Sequence, residues 1–157
     1  MIIFRLRPFQ LTLLAFSALA SGCIASAKGP LYRPVQGIPP DQAIVYVYRV
    51  PSFAFSGQSA RIRLDGEKVA EISHKGYSVM SLPPGEHTLT LDVGLILQRI
   101  DLKVDFKPGQ TYYFAMQAWV DALVINWRFF PVEKWSAGMD LHYLHYQPPL
   151  KYAVPDY

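Results

Sequence analysis

The chain reads as an all-β protein, a single antiparallel sandwich behind an N-terminal leader. Three observations predict it. From Ala43 onward, short runs rich in Val, Ile, Tyr, Phe and Thr recur between turn residues. Between Arg99 and Phe106, Ile100, Leu102, Val104 and Phe106 alternate with Arg99, Asp101, Lys103 and Asp105, the period of a strand with one wet face. Asp65-Gly66 lies between two further runs and supplies the positive φ of a tight hairpin. About 110 residues beyond the N-terminal segments are enough for one hydrophobic core, so one domain is expected.

The leader comes first. Residues 1–22 carry Arg5 and Arg7 ahead of an apolar stretch from Phe9 to Ala20, the pattern of a secretory signal, and then the small residues Ser21 and Gly22, which admit a peptidase. A spanning helix needs roughly 20 apolar residues. This stretch is shorter and is interrupted by Gln10 and Thr12, so cleavage is expected instead. The run Leu19-Ala20-Ser21-Gly22-Cys23 resembles the lipobox of bacterial lipoproteins, with Leu19 one place earlier than the usual leucine. That resemblance implies a diacylglyceryl group on Cys23, further acylation such as palmitate on its freed amine, and an effectively permanent membrane anchor. Ile24 stands where enterobacterial inner-membrane lipoproteins carry a retention aspartate, which implies the outer membrane, facing the periplasm.

Cys23 is the only cysteine, so the domain folds without disulfides. The net charge of +3 is mostly leader. Without Arg5 and Arg7, thirteen basic residues face twelve acidic ones with no Lys/Arg cluster, which argues against nucleic-acid binding.

Residues 23–42 hold Gly29-Pro30, Pro34, Gly37 and Pro39-Pro40 without periodicity, and read as the lipidated cysteine followed by a flexible tether. Extended at ~3.3 Å per residue, it could reach about 60 Å from the bilayer. The domain then spans 43–146. Residues 43–50 form the first strand and 51–59 a loop. Residues 61–64 and 68–72 flank Asp65-Gly66. A two-residue turn there pairs Leu64 with Glu67 and Ile62 with Val69, whereas a longer loop pairs Ile62 with Ala70 or Ile72. Residues 77–82 precede the turn Pro83-Pro84-Gly85, where the prolines withhold ladder donors. Residues 86–93 follow, with Leu89, Leu91 and Val93 on one face.

Lys107-Pro108-Gly109-Gln110 turns the chain into residues 111–120, which are apolar on both faces and suit a central strand. Residues 123–130 fit helix or strand, and Ile125, Trp127, Phe129 and Phe130 favour strand. Residues 133–138 read as a connection, 139–146 as a last strand and 147–157 as a proline-containing tail.

The motifs Ala43-Ile44-Val45-Tyr46-Val47-Tyr48-Arg49, Leu64-Asp65-Gly66-Glu67-Lys68-Val69-Ala70, Leu82-Pro83-Pro84-Gly85-Glu86-His87 and Pro108-Gly109-Gln110-Thr111-Tyr112-Tyr113 occur in that order. Together, over residues 43–120, they resemble a bacterial lipoprotein family defined by a domain of unknown function, DUF2846. The resemblance implies an immunoglobulin-like or prealbumin-like sandwich. It carries no catalytic residues, since its motifs are turns and core strands.

The candidate chemistry is sparse. His142 and His145 are three apart, a helical metal spacing that a strand would split between two faces. His74 and His87 sit in a loop and beside a turn. No cysteine or carboxylate partner stands at a recognisable interval, so no metal site is expected. No nucleophile elbow, phosphate loop or dinucleotide fingerprint appears. Ser136, Asp140 and His142 could be drawn as a triad, but such trios arise by chance. No cofactor and no catalysis are expected. Asp101 and Asp105 read as solvated charges.

Aromatic content exceeds what folding needs, with ten Tyr, nine Phe and three Trp. The bland reading is that these side chains fill the core. The functional one is a candidate interaction surface of Trp119, Trp127, Phe129, Phe130 and Trp135, with Leu95, Ile96 and Leu97 as a second patch. The sequence therefore reads as a non-catalytic envelope lipoprotein, a tethered binding or assembly module for an envelope protein. The alternatives are a carrier of lipid or a small hydrophobic ligand, and a structural envelope protein.

Overall fold

The computed structural model describes residues 26–52, 56–94, 98–155 and 157. The leader and Cys23 lie outside the described residues, as do Leu95, Ile96 and Leu97. The remainder is an all-β sandwich of two sheets. Its strands are β1 Ala43–Arg49, β2 Ala60–Leu64, β3 Glu67–Ile72, β4 Gly76–Leu82, β5 Gly85–Val93, β6 Gln98–Phe106, β7 Thr111–Asp121, β8 Val124–Pro131 and β9 His145–Tyr146, with one short helix, α1 Lys134–Leu141, before β9.

One sheet has the order β8-β7-β1-β4-β9 and the other β3-β2-β5-β6. Most neighbours are antiparallel, but β1 pairs in parallel with β7 and β4 with β9. The β1–β7 pairing is possible because the second sheet intervenes between them in sequence, giving the chain the long crossover that a parallel pair requires.

Alternation decides the core. Val45 and Val47 of β1, Met80 and Leu82 of β4, and Phe114 and Met116 of β7 meet Ile62, Leu64, Leu89, Leu91, Val93 and Phe106 of the other sheet. On β6, Ile100, Leu102 and Val104 pack against that core while the charged residues between them are exposed, as the alternation predicts.

At the Asp65-Gly66 turn both expected registers are partly realised. Leu64 pairs with Glu67 and Arg63 with Lys68, as a two-residue turn dictates. A bulge between Ile62 and Arg63 then shifts Ile62 onto Ala70. Residues 123–130 fall almost wholly within strand β8, and β7 is an interior strand.

Two expectations are corrected. The segment read as a connection followed by a strand is mostly α1, and only His145 and Tyr146 pair as strand. Ala137 and Leu141, four apart, bury one stripe of this helix, while Gly138 between them weakens its signal in the sequence.

The segment read as a flexible tether is docked over much of its described part. Ala27 N–H donates to His74 O (2.9 Å), Tyr146 N–H to Pro30 O (2.8 Å) and Val35 N–H to the Tyr46 hydroxyl (2.8 Å). The tail is docked as well. Val154 is buried, Ala153 bridges to Met80, and the Tyr157 hydroxyl lies 2.8 Å from that of Tyr77 and donates to Arg33 O.

The physical reason is the outer face of the first sheet. Ile44, Tyr46, Tyr48, Tyr77, Val79, Tyr113 and Ala115 form a second apolar layer, which must be covered. α1 with Leu144 covers part of it, and the two terminal segments cover the rest. Every residue of β1 is consequently buried. The tyrosine rings interlock, Tyr46 stacking on Tyr113 with centroids 5.1 Å apart. Burial pushes the Tyr113 phenol up to about 12.

Candidate functional site

The β7–β8 hairpin carries the residues that most need an explanation. Its ladder pairs Ala115 with Phe130, Gln117 with Arg128, Trp119 with Asn126 and Asp121 with Val124, all on the outer face of the sheet. Arg128 donates to Gln117 Oε1 and lies 4.7 Å from the Phe130 ring centroid. Alternate residues Phe114, Met116, Ala118, Trp127 and Phe129 point into the core.

Parity therefore splits the proposed aromatic surface. Trp127 and Phe129 are each only 4% exposed and belong to the core, a correction to their reading as interaction residues. Trp127 also stacks beneath the guanidinium of Arg49, 4.9 Å from its ring. Burial lowers that guanidinium to about 10. Phe130 is half-buried beneath Arg128. Trp119 and Trp135 are exposed, 41% and 71%.

The sequence reading missed Val120, Leu123, Val124 and Met139 as exposed apolar positions. Leu123 is 96% exposed at the tip of the hairpin. It and Ala122 form the two-residue turn, with φ of 68° and 44°. Such a turn favours Asn-Gly, so Ala-Leu gave no hairpin signal and Leu123 read as the start of a strand. On α1, Trp135 and Met139 lie opposite the buried stripe of Ala137 and Leu141, and Tyr143 follows just past the helix.

The ionisable groups form local clasps. His87 Nδ1 donates to Asp65 Oδ2 (2.6 Å) and Thr88 N–H to Asp65 Oδ1 (2.8 Å), which fastens the β2–β3 turn to β5. These donors hold the Asp65 carboxyl below the usual carboxylate range. His145 Nδ1 donates to Gly29 O (2.7 Å), and the His142 amide closes the end of α1 on Gly138 O. Asp140 accepts from the Tyr48 hydroxyl and Asp101 from that of Thr90. Among the described residues no group of three His, Cys, Asp or Glu side chains is placed to hold a metal ion.

These elements match a known family. The family described as a protein of unknown function, DUF2846, matches residues 39–124, more than half of the chain. The chain belongs to the DUF2846 family. The match runs from just before β1 to Val124, the first residue of β8, and leaves the rest of β8, α1, β9 and the tail beyond it. The exposed helix residues of this DUF2846 protein therefore lie outside the matched segment, whereas Trp119, Val120 and Leu123 lie within it. No curated protein matches the chain.

Proposed function

We propose that this DUF2846 protein is a non-catalytic lipoprotein of the bacterial envelope, anchored through Cys23 and acting as a binding or assembly module for an envelope protein. The supporting observation is the solvent side of α1. Trp135, Met139 and Tyr143 are 71%, 58% and 72% exposed on an element whose other side is fixed by Ala137, Leu141 and the Tyr48–Asp140 hydrogen bond. Large apolar side chains displayed on a rigid support are a common form of protein interface, because they are desolvated on binding at little cost in ordering.

The test is crosslinking in intact cells with a photoreactive residue at Trp135 or Tyr143, followed by mass spectrometry. A discrete protein adduct identifies the partner and supports the module. Lipid adducts alone replace it with the carrier reading, and no adduct at either position leaves a structural role. The anchor is tested separately. The mature N-terminal peptide should carry acyl mass on Cys23, that mass should vanish in Cys23→Ala, and the wild-type protein should fractionate with outer membranes.

A further inference from the structure

The strand directions gather several features at one end of the sandwich. β1 finishes there at Arg49 and β4 begins there, since Tyr48 pairs with Tyr77. β7 runs parallel to β1 and is level with it at Arg49–Met116, so its remaining residues and the Ala122-Leu123 turn extend beyond that level. From Met116 to Asp121 the extension is five residues, about 17 Å of strand at ~3.4 Å each. The β3–β4 turn, with His74 and the exposed Lys75, is at the same end. Ser26 docks on it, bridging to His74 with its hydroxyl 3.3 Å from His74 O.

This docking fixes the length of the leash. Cys23 stands only three positions before Ser26, a span of about 10 Å when fully extended. An acyl group on Cys23 would therefore hold this end of the domain beside the bilayer rather than some 60 Å away. The leash and the projecting hairpin are thus of comparable length, about 10 and 17 Å.

We infer that this end faces the membrane and that the β7–β8 tip, Leu123 with Trp119, Val120 and Val124, enters the headgroup layer. The inference rests on the anchored reading of Cys23.

The tip is layered for such a boundary. Leu123 leads, Val124 is level with the exposed Asp121 and Val120 with Ile125, Trp119 shares the next level with Asn126, and Gln117 and Arg128 stand behind; apart from the Asp121 carboxylate, this is the order in which aliphatic, indole and cationic groups distribute across a membrane interface. Strand pairing persists to Asp121–Val124, so the backbone beside the turn enters already hydrogen-bonded. Exposed Lys28 and Lys75 flank the docking point of Ser26, where anionic headgroups would attract them.

The turn itself supports a role outside folding. Two residues with side chains hold left-handed φ where glycine or asparagine would be relaxed, and the one at the apex is a fully solvated leucine.

The full chain, purified from membranes and reconstituted in phosphatidylethanolamine–phosphatidylglycerol vesicles, provides the test. An environment-sensitive fluorophore is attached at Leu123→Cys or, at the opposite end, at Lys107→Cys, and spin-labelled lipids are used as quenchers. The fluorophore at 123 should shift to the blue and be quenched severalfold more than at 107. Equal, weak quenching at both sites on protein whose Cys23 acylation is verified by mass would overturn the membrane-facing tip and leave the anchor standing. Absence of acyl mass would remove the anchor and this inference together. Ala122→Asn with Leu123→Gly suits the turn better and should fold, yet should lose most quenching of a fluorophore at Val120→Cys. Undiminished quenching there would also overturn the inference.

Discussion

The hydroxyl of Tyr48 donates to Asp140 Oδ2 at 2.9 Å, joining residues 92 apart in the chain and fastening α1 to the outer face of the central strand. Both groups lie at the edge of the tyrosine layer. Burial, and then the neighbouring Asp140 carboxylate, raise the Tyr48 phenol, so it stays a donor across the physiological range. Tyr48→Phe keeps the ring packing and removes only this bond. It should cost about 1–2 kcal/mol, read as a fall in thermal midpoint of roughly 4 °C per kcal/mol.

Gly29 tests the docked N-terminal segment. A Cβ there would stand 2.0 Å from Tyr146 O, a backbone atom that cannot swing aside. Gly29→Ala should therefore lift the segment from β9, and faster hydrogen exchange at Tyr146 N–H, which donates to Pro30 O, will report it. An unchanged exchange pattern would mean that this segment behaves as a free tether.

The two tryptophans with opposite environments should behave oppositely. Trp127→Ala empties a core site lined by both sheets and should cost about 3–5 kcal/mol, whereas Trp135→Ala should change stability by no more than about 0.5 kcal/mol. Denaturant unfolding monitored by circular dichroism distinguishes them.

Asp65 sets an acid dependence whose sign follows from its hydrogen bonds. The His87 ring and the Thr88 amide lower its pKa in the folded state, so the pair contributes stability above the unfolded carboxylate value. That contribution is lost as pH falls from about 4 through the lower folded value. Asp65→Asn tolerates the left-handed φ of 50° and keeps an acceptor for Thr88. It should flatten the dependence of thermal midpoint on pH in that acid window, and an unaltered slope would assign the window to other carboxylates.

Relaxing the hairpin apex should stabilise the fold even as it removes the exposed leucine. Leu123→Gly relieves a left-handed side-chain conformation and should gain about 1 kcal/mol, offset in part by the greater freedom of glycine in the unfolded chain. A rise in thermal midpoint confirms that Leu123 is held at the tip against local preference.

The sequence by itself determined the sandwich, because alternation is a local property. The polar and apolar sides of β6, the Leu89, Leu91 and Val93 stripe and the Asp65-Gly66 turn each declare themselves within a few residues. Membership of the family was legible in the same turns and strands. What covers a sheet is not local. The Gly- and Pro-rich segment before β1 and the tail after β9 have no period of their own, and only the apolar tyrosine face, assembled from β1, β4 and β7, gives them a place to dock.

The same holds for the candidate surface. Composition placed too many aromatics between Trp119 and Trp135, but strand parity on the finished sheet sent Trp127 and Phe129 inward and left Trp119 outside. Helix α1, with Gly138 at its middle, owes its form to the face it covers more than to its own propensity. Tertiary structure alone brought Ser26, Lys75 and the β7–β8 tip to one end, because strand direction is set by pairings across the sheet, and residues distant in sequence acquire a common side only when those pairings close.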